Sequence, residues 1–189
     1  MKHLSISANQ TSINFVNLFT GALLNLVVVD LVSDADLAGG YQRNLFNFRN
    51  FGVNCIKLKR NETFRPSVGY TPNFATGQYL KAYSMFLQEV ECDTGDKSVS
   101  FTLSEWAIGY TLYAFKITDG PIPPGTYGPR FKFATRSARL DVSFTAAVNK
   151  IIKVVLLYQM FGRIEFDRFN VVLILWAFAV DFTLERSNA

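Results

Sequence analysis

The sequence predicts an all-β fold, an antiparallel β-sandwich carrying one short amphipathic helix. Three observations predict it. Two segments, 54–60 and 138–145, alternate apolar and polar side chains with the period of two that puts one face of a strand on a core. The most apolar run, 171–180, is ten residues, a strand's length and far below the ~20 residues of a membrane-spanning helix. The aromatic load is 18 Phe, eight Tyr and two Trp, residues that fit a pleated, half-buried surface.

In chain order, 13–18 and 23–32 are the first apolar stretches, and the second, dense in Val and Leu, reads as a buried strand. Ser33-Asp34-Ala35-Asp36 offers a cap and a single helical turn, which Gly39-Gly40 breaks. The stretch 44–51 sets Phe46, Phe48 and Phe51 among Asn and Arg, an ordered loop pinned by aromatics. In 54–60, Ile56 and Leu58 point one way and Cys55, Lys57 and Lys59 the other, with a turn at Asn61-Glu62-Thr63. Gly69 to Asn73 is a connection, because Pro72 lacks a donor and restricts φ.

From Gln78 to Glu91 the period changes: Leu80, Tyr83, Phe86 or Leu87, and Val90 recur at three and four residues, an amphipathic helix of about three turns. Ser104-Glu105-Trp106 starts a short helical turn, and 109–117 runs as a strand. Four prolines and three glycines make 119–129 a loop, with no Gly-Lys-Ser/Thr ending to make it a phosphate cradle. Ala138, Leu140, Val142 and Phe144 then alternate with Arg139, Asp141, Ser143 and Thr145. The run 151–161 reads as a strand covered on both faces, 163–170 as a further alternating segment, and 171–180 as a buried strand rather than a membrane anchor. The total is about seven or eight strands, the pattern of a sandwich or barrel.

Composition narrows function. Charged residues are 18% of the chain, below the usual quarter, so more surface than normal asks to be covered. Net charge is +4, but the basic residues are scattered; the densest group, Lys57, Lys59, Arg60 and Arg65, reads as a solvated strand face rather than a specific nucleic-acid site. His3 is the only histidine, in a segment expected to be mobile, which removes His-based triads and most zinc sites. Cys55 and Cys92 read as reduced thiols of an intracellular protein. The Asn9 and Asn61 glycosylation triplets read as unused, since no secretory leader is evident.

Glu165 and Asp167 lie on one side of an expected strand and are the best carboxylate pair for acid–base work or a hard cation; Arg163 and Arg168 beside them favour ordinary ion pairs. Asp93 and Asp96 suit a turn. No catalytic, cofactor-binding or metal-binding residue is assigned, and the chain reads as a non-enzyme.

Several blocks stand in order along the chain: Asn44-Leu45-Phe46-Asn47-Phe48, Tyr70-Thr71-Pro72-Asn73-Phe74 before Tyr79-Leu80-Lys81-Ala82-Tyr83, and Gly109-Tyr110-Thr111-Leu112-Tyr113-Ala114-Phe115. Ala138-Arg139-Leu140-Asp141-Val142-Ser143-Phe144 and Ile164-Glu165-Phe166-Asp167-Arg168-Phe169-Asn170-Val171 complete the set. Together they resemble the hexon-type major capsid proteins of Polinton/Maverick mobile elements and related viruses. The resemblance covers roughly 23–171 and implies an antiparallel jelly-roll β-sandwich. Residues 1–189 would be a single jelly-roll domain corresponding to the C-terminal roll of a double jelly-roll protein, and 171–189 a tail more hydrophobic than the family's.

The function it implies is that of a structural, self-assembling, virus-derived capsid-like protein, a homotrimer or higher assembly that can engage minor capsid proteins. No membrane span is expected, and the location would be the cytoplasm, the nucleus or a virion-like particle. Loops such as 119–129 are expected to make lateral contacts. The alternative is a ligand-binding β-sandwich, lectin-like or lipid-carrying.

Overall fold

The computed structural model describes residues 2–19, 24–60, 63–93, 98–117, 138–160, 163–166 and 172–175. Among them, Lys2–Ile6 (β1), Ser12–Phe15 (β2), Leu24–Ser33 (β3), Val53–Arg60 (β4), Thr63–Tyr70 (β5), Leu112–Lys116 (β6), Ala138–Phe144 (β7) and Ile152–Met160 (β8) build two antiparallel sheets. Sheet I has the order β1-β8-β3-β6 and sheet II the order β2-β7-β4-β5. The all-β class read from the sequence is the one the chain adopts.

The pairing is nested. β1 pairs with β8, β2 with β7, β3 with β6 and β4 with β5. Pairings of β3 with β8 and β4 with β7 then join these ribbons side by side. The chain thus folds back on itself once, at β4–β5, and the doubled ribbon rolls into two facing sheets.

Alternation decides what fills the space between them. Val27, Val29 and Leu31 of β3, Ile56 and Leu58 of β4, and Leu140 and Val142 of β7 are buried in the shared core. Register keeps each inner residue beside another: Leu31 faces Val154, Leu58 faces Leu140, and Ile56 faces Val142. Tyr70 of β5 meets Tyr113 and Phe115 of β6 edge-on, centroids 5.3 and 5.4 Å apart, so aromatic rings tie the two sheets at this side.

Three short helices lie in the connections: α1 (Asp34–Leu37), α2 (Leu80–Glu89) and α3 (Leu103–Ile108). The expected single helix is α2, with Ala82 and Phe86 buried. Leu80, the first member of the expected apolar stripe, is instead 64% exposed, because it opens the helix. α3 begins with a full capping box: the Thr102 hydroxyl accepts from the Glu105 N–H, and the Glu105 carboxylate accepts from the Thr102 N–H at 2.7 Å.

Other expectations are corrected. Residues 2–6 are not mobile but form β1, because Leu4 and Ile6 find Val154 and Ile152 across the ladder. Thr63, expected in a turn, and Gly69 and Tyr70, expected in a connection, instead belong to strand β5. Its Pro66 is tolerated because β5 is an edge strand. Gly69 is required at its bulged register: φ is +70°, and a Cβ there would lie 2.4 Å from Lys57 Cγ. Strand β6 starts at Leu112, not Gly109, since 109–111 close α3.

Arg163–Phe166 (β9) and Val172–Leu175 (β10) form a separate antiparallel pair, with Glu165 opposite Leu173. The 119–129 loop and the remainder of the 171–189 tail lie outside the described residues.

Candidate functional site

The described parts of four connections gather at one end of the sandwich: 7–11, 34–52, 71–93 with 98–111, and 145–151. Backbone hydrogen bonds stitch them together. Asn9 N–H donates to the Val148 carbonyl at 2.7 Å, and Thr145 N–H to Gly52 at 2.8 Å. Phe48 N–H donates to Gly109, and Thr111 N–H to Phe48, each at 3.0 Å. Such loops hold a fixed shape because their polar backbone groups have partners.

That end carries apolar side chains which the fold does not cover. Phe46 stands edge-on to Phe48, Phe48 bridges to Tyr110, and Tyr110 stacks on Phe101 at 5.4 Å and 4°. Phe46 is 64% and Ile108 75% exposed, with Leu45 and Tyr110 partly so. Hydrogen bonding brings these segments together, so they form one surface rather than scattered residues. Beside it, a pocket of 280 Å³ is lined by Phe51, Thr145, Val148 and Ile152 among others. Lys150 Nζ sits 5.3 Å from the ring of Phe51, one of the lining residues.

A second constellation closes the β6 edge of sheet I. Three outward-facing backbone groups of this strand are met by side chains. The Trp106 indole N–H donates to the Leu112 carbonyl at 3.2 Å, the Tyr70 hydroxyl donates to Ala114 at 2.6 Å, and Glu89 accepts from the Lys116 N–H at 2.6 Å. Trp106 is itself packed among Phe74, Tyr79, Tyr83 and Tyr113. Burial, with Glu89 nearby, pushes the Tyr70 hydroxyl far above its usual range, so it stays a neutral donor.

The third feature is Asp30, fully buried on the central strand β3. Register places it beside Leu112 on one side and Val155 on the other, facing away from the inter-sheet core. Among the described residues neither carboxylate oxygen has a hydrogen-bond partner. Burial alone pushes its carboxyl up to about 8, so it is protonated at neutral pH.

The residues weighed for chemistry do not converge. Glu165 has its backbone on β9 and Asp167 lies outside the described residues, as does Asp96, while Asp93 is exposed. His3 is exposed on β1, and Cys55 and Cys92 are half-buried free thiols. Lys57 and Lys59 lie over the Phe64 ring at 5.5 and 5.7 Å, and Arg60 donates to the Ile117 carbonyl, so these three basic side chains are bound into the surface of the sheet. Among the described residues no three His, Cys, Asp or Glu side chains cluster as metal ligands. None of their helices is long and apolar enough to cross a membrane.

Sequence reasoning found the aromatic loop 44–51 but missed Asp30, whose sign was a lone acid inside the seven-residue, otherwise apolar stretch 26–32. Comparison with known protein families, curated proteins and solved structures finds no match to this chain.

Proposed function

We propose that this chain is a capsid-like structural protein whose sandwich is a single jelly roll and whose activity is assembly with copies of itself. The observation that carries this reading is the nested pairing of β1:β8, β2:β7, β3:β6 and β4:β5 rolled into sheets 1-8-3-6 and 2-7-4-5. Eight strands in two facing sheets are the architecture shared by viral capsid domains, some lectins and cupins. The capsid assignment within that set draws on the resemblance to capsid proteins of mobile elements and related viruses.

The loop end supports the same reading. Phe46, Ile108, Tyr110 and Leu45 lie on backbone that is already hydrogen-bonded, so covering them costs little ordering entropy. Closed symmetric assembly buries such a surface on every subunit at once. In this reading the assembly is a trimer or larger, encoded by or inherited from a virus-related element, and it performs no catalysis.

Sedimentation velocity and negative-stain electron microscopy of the purified chain test the proposal. Discrete rings or shells are expected. Replacing Phe46 and Ile108 together by Ser should dissolve them while leaving the β-sheet circular dichroism unchanged. A chain that stays monomeric at high concentration would overturn the reading.

A further inference from the structure

Among the described residues the sandwich has four strand edges, and they are finished differently. The β6 edge is answered by Trp106, Tyr70 and Glu89. β5 carries Pro66 and a bulged register at Gly69. β1 carries Lys2, whose ammonium turns in to the Leu18 carbonyl at 2.9 Å. These are the usual devices against edge pairing. Strand β2, Ser-Ile-Asn-Phe, has no charge, no proline and no register shift, yet it ends sheet II.

The ladder fixes which way its backbone groups point. Phe144 N–H donates to the Thr11 carbonyl at 2.8 Å, and Thr11 stands opposite Phe144 in the continued β2–β7 register. Antiparallel ladders alternate bonded and non-bonded pairs. Thr11, Ile13 and Phe15 therefore turn their N–H and C=O groups to β7, and Ser12, Asn14 and Val16 turn theirs outward. The inner-face side chains Ile13 and Phe15 are only half-buried, although they pack on the core, and Val16 is 63% exposed.

We infer that β2 pairs with β2 of a second copy of this chain, antiparallel, about a two-fold axis through Asn14. The occupant follows from register. With Asn14 opposite Asn14, Ser12 falls opposite Val16, so each outward N–H and C=O of these residues meets its complement. Ile13 falls opposite Phe15 on the inner face, a β-branched–aromatic cross-strand pair that covers both half-buried side chains. No charge meets a like charge, because β2 has none. A two-fold edge is its own complement, so one strand left unpaired among the described residues suffices. Sheet II then continues unbroken across the dimer.

This inference rests on the assembly reading and adds one specific contact to it. The test uses the full chain with Cys55→Ser and Cys92→Ser as background. Under mild oxidation Asn14→Cys should give a disulfide-linked dimer, since a residue on the axis faces itself. Ser12→Cys or Val16→Cys alone should not, but an equimolar mixture of those two should cross-link to each other.

Separately, Asn14→Pro removes only an outward N–H and leaves the β2–β7 ladder whole. It should keep the native circular dichroism and weaken the dimer on the order of 100-fold or more. Equal cross-linking of all three single-cysteine variants, or an Asn14→Pro protein that dimerises like the parent, would overturn the inference. Particles that assemble without any Asn14→Cys cross-link overturn it and leave the assembly reading standing; a monomer at all concentrations overturns both.

Discussion

Two neighbouring strands of sheet I handle polar groups in opposite ways. Along β6 the outward backbone atoms are met one after another, at Leu112 by Trp106, at Ala114 by Tyr70 and at Lys116 by Glu89. One strand further in, directly opposite Leu112, Asp30 is buried with neither oxygen satisfied among the described residues. An edge left open invites a foreign strand, and an orphaned carboxyl costs stability at every pH where it would otherwise ionise. The first cost has been removed by three side chains from three elements. The second has been kept. The contrast shows that the edge is finished for solubility and order, whereas the centre of the sheet carries a liability.

The largest effect expected from breaking this contrast comes from Asp30→Asn, which keeps the shape and removes the ionisable proton. Burial raises the carboxyl from 3.8 to about 8. Below the unfolded value both states hold the proton and the substitution is neutral. Between 3.8 and about 8 the unfolded chain releases a proton that the folded chain keeps, so rising pH favours unfolding of the parent. Above about 8 the difference is complete and constant. At ~1.4 kcal/mol per pH unit between those two values the gain for Asp30→Asn reaches about 6 kcal/mol at alkaline pH. Urea midpoints of parent and variant should coincide in acid, diverge between 3.8 and about 8 and run parallel above it; a gap independent of pH would show that Asp30 is not the titrating group.

Next in size is Trp106→Ala, on the finished side. It empties a fully buried site that touches four aromatic rings and strips the Leu112 carbonyl of its donor. The expected loss is about 3–5 kcal/mol. Trp106→Phe separates packing from capping: it should recover most of the volume but not the hydrogen bond. If the two variants unfold at the same denaturant concentration, packing contributes little and the edge contact dominates.

How far these features could be read from the sequence depends on whether their cause is local. The strands at 53–60 and 138–144 announced themselves, because alternation is a local consequence of one buried face. Strand β5 did not, since Pro66 and Gly69 argue against a strand until its place at the sheet edge is known. Strand β1 has only Leu4 and Ile6 to signal it, and its order comes from β8, some 150 residues away. Helix α3 was half legible: Thr102 and Glu105 spell a capping box, while the short run behind them gives almost no helical period. The β6 edge was illegible, because Tyr70, Glu89 and Trp106 meet only once the doubled ribbon has rolled up.

Tyr70→Phe probes the same edge with one atom. The hydroxyl is buried, donates to Ala114 at 2.6 Å and is held neutral by burial, so removing it leaves a buried carbonyl without its donor. Ring packing on Tyr113 and Phe115 is retained. The expected loss is about 1–2 kcal/mol, the cost of one unsatisfied buried acceptor, and it should not vary between acid and neutral pH. Exchange of amide hydrogens along β6 should quicken relative to β3, because only the edge has been loosened.

Smallest is Thr102→Ala at the start of α3, which carries Trp106 to that edge. The hydroxyl accepts from the Glu105 N–H at 3.3 Å, and the Glu105 carboxyl is held below its usual range first by the Thr102 backbone N–H and then by the Thr102 hydroxyl. Losing an N-cap side chain costs about 1 kcal/mol. If α3 matters only as a local helix, the loss should stop there. If it matters because it holds Trp106 against Leu112, Thr102→Ala and Trp106→Phe should be non-additive in a double-mutant cycle. Strict additivity would mean that the cap and the edge contact are independent, and that the edge of β6 is finished by the indole alone.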